Sequence, residues 1–409
     1  MPDPVPAAPT RVRLNSLTGL RAIAAVFVFG FHASFGTRYI DGATGDALYS
    51  VVAKAGFMCL CFFFILSGFV LTWSARPAEG TVDIWRRRAA KVYPNHVVTF
   101  VAAAVLMAIA AESIDGSRAV ENLFLIQAWF PDMPTTNSMN GVSWSLSCEA
   151  FFYLMYPLLL RGVRAIPAQR LWAVTTAVVA LAVAAPFVSQ FAISDQPKLP
   201  FIDHGQYSFH QIWFVYFFPP VRALEFVLGM LLARLLQTGR WPRIGLLPAG
   251  AVAVAGYFVT THLPYLFGIG GPAVLWLSPL IAAAAVADRD RTRSPFRGRT
   301  LVKLGELSFA FYLVHGLVLT YGYRWVLDGH ARSAPTGIPL ALAAAALSLA
   351  LAWALFNLVE NPFLRRFGRA RPTPGEHAAG GSTAGGLNRV PQVRPATAAP
   401  ASLPLEVNP

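Results

Sequence analysis

An arginine and a histidine stand inside an apolar stretch, Leu17 to Phe35 (LTGLRAIAAVFVFGFHASF), where burying either is costly. Arg21 and His32 are eleven residues apart, three helical turns plus about 20°. Both therefore project from one helix face, about 16 Å apart along the axis. In a hydrocarbon layer about 30 Å thick, such side chains persist where they face a protein interior or a water-filled cavity. A neutral imidazole in a cavity is a general base for an alcohol when a neighbour fixes its tautomer and stabilises the imidazolium that forms. Glu149, in GVSWSLSCEAFFYLMYPLLL, is the carboxylate best placed by sequence. Counted along antiparallel helices at about 1.5 Å per residue, His32 and Glu149 come to similar depths and can meet. The alternative is a buried hydrogen-bonded pair that only joins helices.

Other groups extend the set. The segment DIWRRRAAKVYP carries Arg86, Arg87, Arg88 and Lys91, with Arg88 and Lys91 one turn apart. Such a cluster either holds the phosphates of a nucleotide-like ligand or reflects membrane topology alone. Arg222 and Glu225 in FPPVRALEFVLGM share a face as a structural ion pair or as pocket residues, beside a double proline that should break the helix. Ser308, Tyr312 and His315 form a stripe in GELSFAFYLVH, making Tyr312 and His315 further pocket candidates. Glu360, before Asn361-Pro362, is expected to pair with Arg365 or Arg366. Ser67-Gly68 reads as a tight helix contact. Cys59, Cys61 and Cys148 lie in apolar surroundings and read as small buried hydrophobes, with no ligand spacing for a metal.

These groups need helices to position them. The chain has 409 residues, 55% hydrophobic and 13% charged, with a mean hydropathy of +0.51. This describes an all-α integral membrane protein rather than a soluble domain. Apolar windows fall near residues 18–36, 50–74, 96–111, 141–160, 171–191, 212–236, 244–260, 272–287, 305–326 and 338–357, giving about ten transmembrane helices. With a cytoplasmic N-terminus, the odd-numbered side receives only Arg38, Arg118, Lys198, Arg324 and Arg332 of the 33 lysines and arginines. Nearly all the others fall on the opposite side, so the positive-inside rule places both termini in the cytoplasm. The net charge of +13 is thereby explained by topology, and a nucleic-acid partner is excluded. Arg21 and His32 argue against reading the first apolar run as a cleavable signal peptide. The expected organisation is a short cytoplasmic segment over 1–13, a membrane domain over 14–370 and a disordered cytoplasmic tail over 371–409.

Taken in order, these motifs resemble the membrane-bound acyltransferase 3 family. LTGLRAIAAVFVFGFHA is similar to its opening helix with the Arg-x10-His pattern, FFFILSGFVL to its second span and RRRAAKVYP to its basic Arg-x-x-Arg loop. SWSLSCEAFFYLMYPLLL, PPVRALEFVLGMLLA, GELSFAFYLVH and LVENPFLRR continue the series, so the resemblance covers about residues 14–367. It implies O-acylation with an acyl-CoA donor, acetyl-CoA or another short-chain ester, and no metal. His32 matches the family's catalytic histidine, Arg21 its partner arginine and Glu149 the assisting acid. Lys91 stands where the family has a second arginine, which keeps charge but loses bidentate geometry and could shift phosphate contact to Arg86 and Arg87. The hydrolase-like domain common in the family is not expected after the last span.

What the resemblance implies is a bacterial plasma-membrane enzyme. Acyl-CoA docks from the cytoplasm on Arg86 to Lys91 and threads its thioester towards His32, which takes the proton of an acceptor hydroxyl. The short loops and LTGLR opening resemble the single-domain enzymes that decorate macrolide or ansamycin antibiotics. A cell-envelope glycan or lipid-linked sugar is the alternative acceptor. A proton-coupled transporter, with His, Glu and Arg lining a relay, is the rival class. The oligomeric state is left open by the sequence.

Overall fold

The computed structural model describes residues 13–76, 80–200 and 202–367. The segment 371–409, expected to be a tail, and all but the last residue of the expected N-terminal segment 1–13 lie outside the described residues. The described chain is all-helical. Its principal helices are α1 (Asn15–Ser34), α2 (Gly42–Trp73), α3 (Thr81–Ile109), α4 (Trp144–Ala165), α5 (Leu171–Ala192), α6 (Pro219–Gln237), α7 (Leu246–His262), α8 (Ala273–Arg289), α9 (Arg299–Trp325) and α10 (Ala334–Leu355). Among the described residues, nine helical stretches are long and apolar enough to cross a membrane. The remaining one, α7, has 17 residues. That is about 26 Å of rise against a hydrocarbon core of about 30 Å.

Two boundaries carry consequences for the site. α3 starts well before the apolar window at 96–111, because Asp83 in its first turn complements the helix dipole and pairs with Arg86 at 2.9 Å. The basic segment Arg86–Lys91 is thus helical, not the loop that the sequence implied, and its side chains have fixed directions. The sixth span breaks where the double proline requires. A capping box between Ser208 and Gln211 opens a short helix, a π-turn over Trp213–Phe217 follows, and Phe218 is extended. Pro219 and Pro220 then occupy the first turn of α6, where a missing N–H breaks no intrahelical bond.

Packing fixes α1 against α2 and α9, and α2 against α6. Backbones touch at these crossings. A Cβ on Gly305 of α9 would fall 1.8 Å from the Thr18 carbonyl oxygen of α1. One on Gly68 of α2 would fall 1.9 Å from the Phe226 oxygen of α6. Only glycine permits such approaches, so the tight helix contact read at Ser67-Gly68 is made by Gly68. Gly305→Val is accordingly expected to separate α1 from α9 and to cost about 1–3 kcal/mol or more. A thermal melt of the detergent-solubilised variant should show a clearly lower midpoint; an unchanged midpoint would contradict the close-contact account.

Candidate active site

A cavity of about 320 Å³ runs into the bundle from the end where α1 begins and α2 finishes. Leu14, Thr18, Trp73 and Ser74 lie at that end. Arg21, Ser67, Arg88, Lys91, Ser145, Glu149, Tyr153, Ser308 and Tyr312 supply its polar wall. Arg21 comes from α1, Arg88 and Lys91 from α3, and Glu149 and Tyr153 from successive turns of α4. Arg21 and Lys91 make no side-chain hydrogen bond or ion pair among the described residues, although Glu149 and Glu360 lie within electrostatic reach of both. The Arg88 guanidinium lies over the Tyr153 ring at 5.8 Å. Tyr153 Oη is 3.3 Å from Ser67 Oγ and lies near Glu149, one turn away on the same helix. Three cations, two of them without direct partners, facing one cavity make a receptor for a polyanion. Of the expected phosphate group, Arg88 and Lys91 reach this wall, whereas Arg86 is engaged with Asp83 and Arg87 is not among the lining residues.

His32 stands three turns along α1 from Arg21. Its Nδ1 lies 2.8 Å from the Val28 carbonyl oxygen and 3.2 Å from Nε2 of His315 on α9. A carbonyl oxygen only accepts, so the proton is on His32 Nδ1 and the lone pair is on Nε2. His32 is in the tautomer a base needs, with Nε2 as the basic atom. The expected partner is different, however. Among the described contacts His32 meets His315 and not Glu149, because α1 packs on α2, α8 and α9 whereas α4 packs on α3 and α6. Nor are the two level, since Glu149 lines the cavity together with Arg21 and His32 is not among the lining residues. Glu149 faces the Arg21 level of the cavity instead.

The remaining expectations sort by environment. Tyr312 lines the cavity, accepts from Ser145 Oγ at 2.9 Å and donates to the Val142 carbonyl at 2.9 Å. Arg222 and Glu225 pair at 3.0 Å with their side chains 1% and 4% exposed. Arg222 also lies over the rings of Phe64 and Tyr216, at 5.1 and 5.5 Å. The structure does not bring this pair to the cavity; it braces α6 against α2. Arg222→Ala should therefore strand the Glu225 carboxylate and cost about 3–5 kcal/mol, while the paired replacement Arg222→Met with Glu225→Leu should recover most of the loss. Thermal midpoints of the three proteins check this. Recovery of stability without recovery of turnover would instead give the pair a role in the reaction.

Glu360 departs from the sequence reading. Its Oε2 accepts from Asn95 Nδ2 at 2.8 Å rather than pairing with Arg365 or Arg366, since the π-turn over Phe356–Glu360 faces α3. Cys148, next to Glu149, turns away from the cavity and donates its thiol to the Phe217 carbonyl at 3.3 Å. Sequence reasoning missed Tyr153, Ser145 and Asn95. A signal existed for all three, because each is four residues from a singled-out charge: Ser145 and Tyr153 flank Glu149, and Asn95 follows Lys91.

Comparison with known proteins bears on this arrangement. A family model described as an acyltransferase domain matches residues 14–357. The chain is 41% identical over 376 residues to acyltransferase MdmB of Streptomyces mycarofaciens, covering 89% of this chain and 95% of that protein. It is 25% identical over 337 residues to the putative peptidoglycan O-acetyltransferase YrhL of Bacillus subtilis (strain 168), covering 74% of this chain and 48% of that protein. It is 26% identical over 168 residues to the peptidoglycan O-acetyltransferase OatA of Listeria monocytogenes, covering 37% and 25%. No solved structure matches it significantly.

Proposed function

The chain belongs to the acyltransferase 3 family and is a multi-pass membrane acyltransferase, and from that premise we propose that it moves an acyl group from acyl-CoA to a hydroxyl of a small natural product, such as a macrolide or ansamycin antibiotic, with His32 as general base. The membrane domain over 14–370 is the catalytic unit of this reading, set in a bacterial plasma membrane with both termini cytoplasmic. One observation carries most weight. α1 places an unpaired arginine in a cation-lined cavity and, about 16 Å further along the same helix, a histidine with a free Nε2. That separation suits a donor whose phosphates and reactive thioester lie at opposite ends of an extended pantetheine arm.

In this mechanism Arg21, Arg88 and Lys91 hold the phosphates by charge-assisted hydrogen bonds. The cavity begins at the end of the bundle joined to the cation-rich connections, which the positive-inside rule places in the cytoplasm, where acyl-CoA is available. Glu149, beside Tyr153, limits the net charge of the wall. His32 Nε2 takes the proton of the acceptor hydroxyl as its oxygen attacks the thioester carbonyl. The imidazolium then returns that proton to the departing thiolate, and no acyl-enzyme is needed. The envelope glycan named for YrhL and OatA is the weaker acceptor reading, because those relatives are 25% and 26% identical and match over less than half of their own lengths, whereas MdmB, whose name specifies no such glycan, matches over 95% of its length.

The test is thiol release from acetyl-CoA by the purified protein in nanodiscs. Release that rises on adding a macrolide or ansamycin hydroxyl acceptor supports the reading. No release with any acceptor, accompanied by solute uptake into proteoliposomes, would instead support the transporter.

A further inference from the structure

Bases of the histidine type usually owe their orientation to a carboxylate on the second ring nitrogen. His32 has none. The carboxylate expected there, Glu149, lines the cavity at the level of Arg21, about three turns away along α1. What lies against His32 Nδ1, besides the Val28 carbonyl, is the Nε2 of His315 at 3.2 Å, with ring centroids 4.9 Å apart.

The protonation state of His315 follows from its own contacts. Its Nδ1 is 2.7 Å from the Tyr312 carbonyl oxygen and 3.2 Å from that of Phe311. Both only accept, so Nδ1 carries the proton and Nε2 of the neutral ring carries a lone pair. That lone pair faces the His32 Nδ1–H. A doubly protonated His315 would set one N–H against another, so the geometry requires His315 to be neutral, whereas His32 can gain a second proton at Nε2 without disturbing the contact. His315 is fully buried. Phe311 is stacked on it at 5.7 Å and 8°, and Phe29 lies 6.2 Å away, so the acceptor is held rigidly and without competing water.

We propose that His315 is the positioning residue of the reaction, its Nε2 sharing the single Nδ1 proton of His32 with the Val28 carbonyl in a bifurcated hydrogen bond and so helping to hold this base as a carboxylate does in a Ser-His-Asp triad. The inference rests on reading His32 as the base. The proton accounting is closed within the pair. As the hydroxyl proton moves to His32 Nε2, the Nδ1 proton stays on His32 and its hydrogen bond to His315 shortens and strengthens. When the Nε2 proton passes to the thiolate, both rings are again neutral. A neutral acceptor has a distinct consequence: it stabilises the imidazolium without holding it permanently, so the base returns readily to the free form between turnovers. Tyr312 links this pair to the donor cavity, since its carbonyl anchors His315 while its side chain lines the wall that holds Arg21.

The test compares His315→Phe, which keeps ring volume and stacking but has no acceptor, with His315→Gln, whose Oε1 can accept the His32 proton. His32→Ala is measured in parallel on nanodisc-reconstituted protein, using acetyl-CoA and a macrolide acceptor. His315→Phe should lower kcat about 10- to 100-fold, by analogy with the loss of partners that orient a ligating histidine, leaving KM for donor and acceptor within about twofold. His315→Gln should restore most of kcat. If the Phe variant does not fold, Gln against His315→Met makes the same comparison. Full kcat in the Phe or Met variant, or equal losses in Gln and its non-accepting counterpart, would overturn the inference. Full turnover in His32→Ala would overturn the underlying base assignment instead, so the two failures are distinguishable.

Discussion

His32→Ala should lower acyl transfer by about 10²–10⁴-fold, the range over which a positioned general base acts, while the protein still folds. The expectation of folding rests on the ring's surroundings. His32 is half-buried, and the helix carrying it is held by apolar packing of Leu17, Leu20, Val28 and Phe31, and by the close approach at Gly305, rather than by the imidazole. Loss of the ring leaves Val28 with its helical hydrogen bond and leaves His315 anchored by two carbonyls. Donor binding should persist, because the cations of the cavity lie about three turns away. The measurement is kcat alongside a fluorescence binding titration with a non-hydrolysable CoA analogue. Near-normal turnover would remove His32 from the mechanism. Lost turnover together with lost analogue binding would mean that the two levels of α1 are not separate functions.

The second large effect belongs to Arg21. A charge-assisted hydrogen bond contributes about 1.5–3 kcal/mol, so Arg21→Gln should raise the KM for acyl-CoA roughly 10- to 150-fold with a smaller change in kcat. Lys91→Gln should act in the same direction and, sharing the ligand, less than additively. A truncated donor, acyl-pantetheine, separates this from general damage. It lacks the phosphates, so the wild type should lose affinity for it, while Arg21→Gln should handle it about as well as the wild type does. An equal loss on both donors would place Arg21 near the reacting carbonyl, or in the structure alone, and not on the phosphates.

Much of this site was legible in the sequence because the bilayer makes polar residues conspicuous. An arginine and a histidine inside an apolar run could be assigned to one face and two depths from helical geometry alone, and α1 carries both, Arg21 on the cavity wall and His32 against His315. The composition and the apolar windows likewise led to a helical membrane architecture before any fold was seen, although the short α7 shows how residue counts blur at about 17 residues. Helix adjacency was not legible. Depth counting brought His32 level with Glu149, whereas Glu149 lies at the Arg21 level, and rise along an axis carries no information about which helix is the neighbour, so the contact of His32 with His315 was not foreseen. For the same reason the nearby Arg365 and Arg366 were favoured over Asn95 as the contact of Glu360, since sequence proximity stood in for a spatial one. The helical course of Arg86–Lys91 was hidden because a charged segment beside an apolar window looks like a loop, whereas its own Asp83 and the spacing of its cations extend the helix.

The central claim is that this membrane protein transfers an acyl group from a CoA ester to a small-molecule hydroxyl. The most direct test is mass spectrometry of a panel of macrolides, ansamycins and simple glycans after incubation with acetyl-CoA and membranes containing the wild type or His32→Ala. The expected result is the mass gain of one acyl group on a hydroxyl of a macrolide or ansamycin, with free CoA released in equal amount, in the wild type only. An acyl gain confined to the glycans would contradict the acceptor class, and an equal gain in His32→Ala would contradict the base. Absence of any gain or CoA release across the panel would contradict the reaction itself.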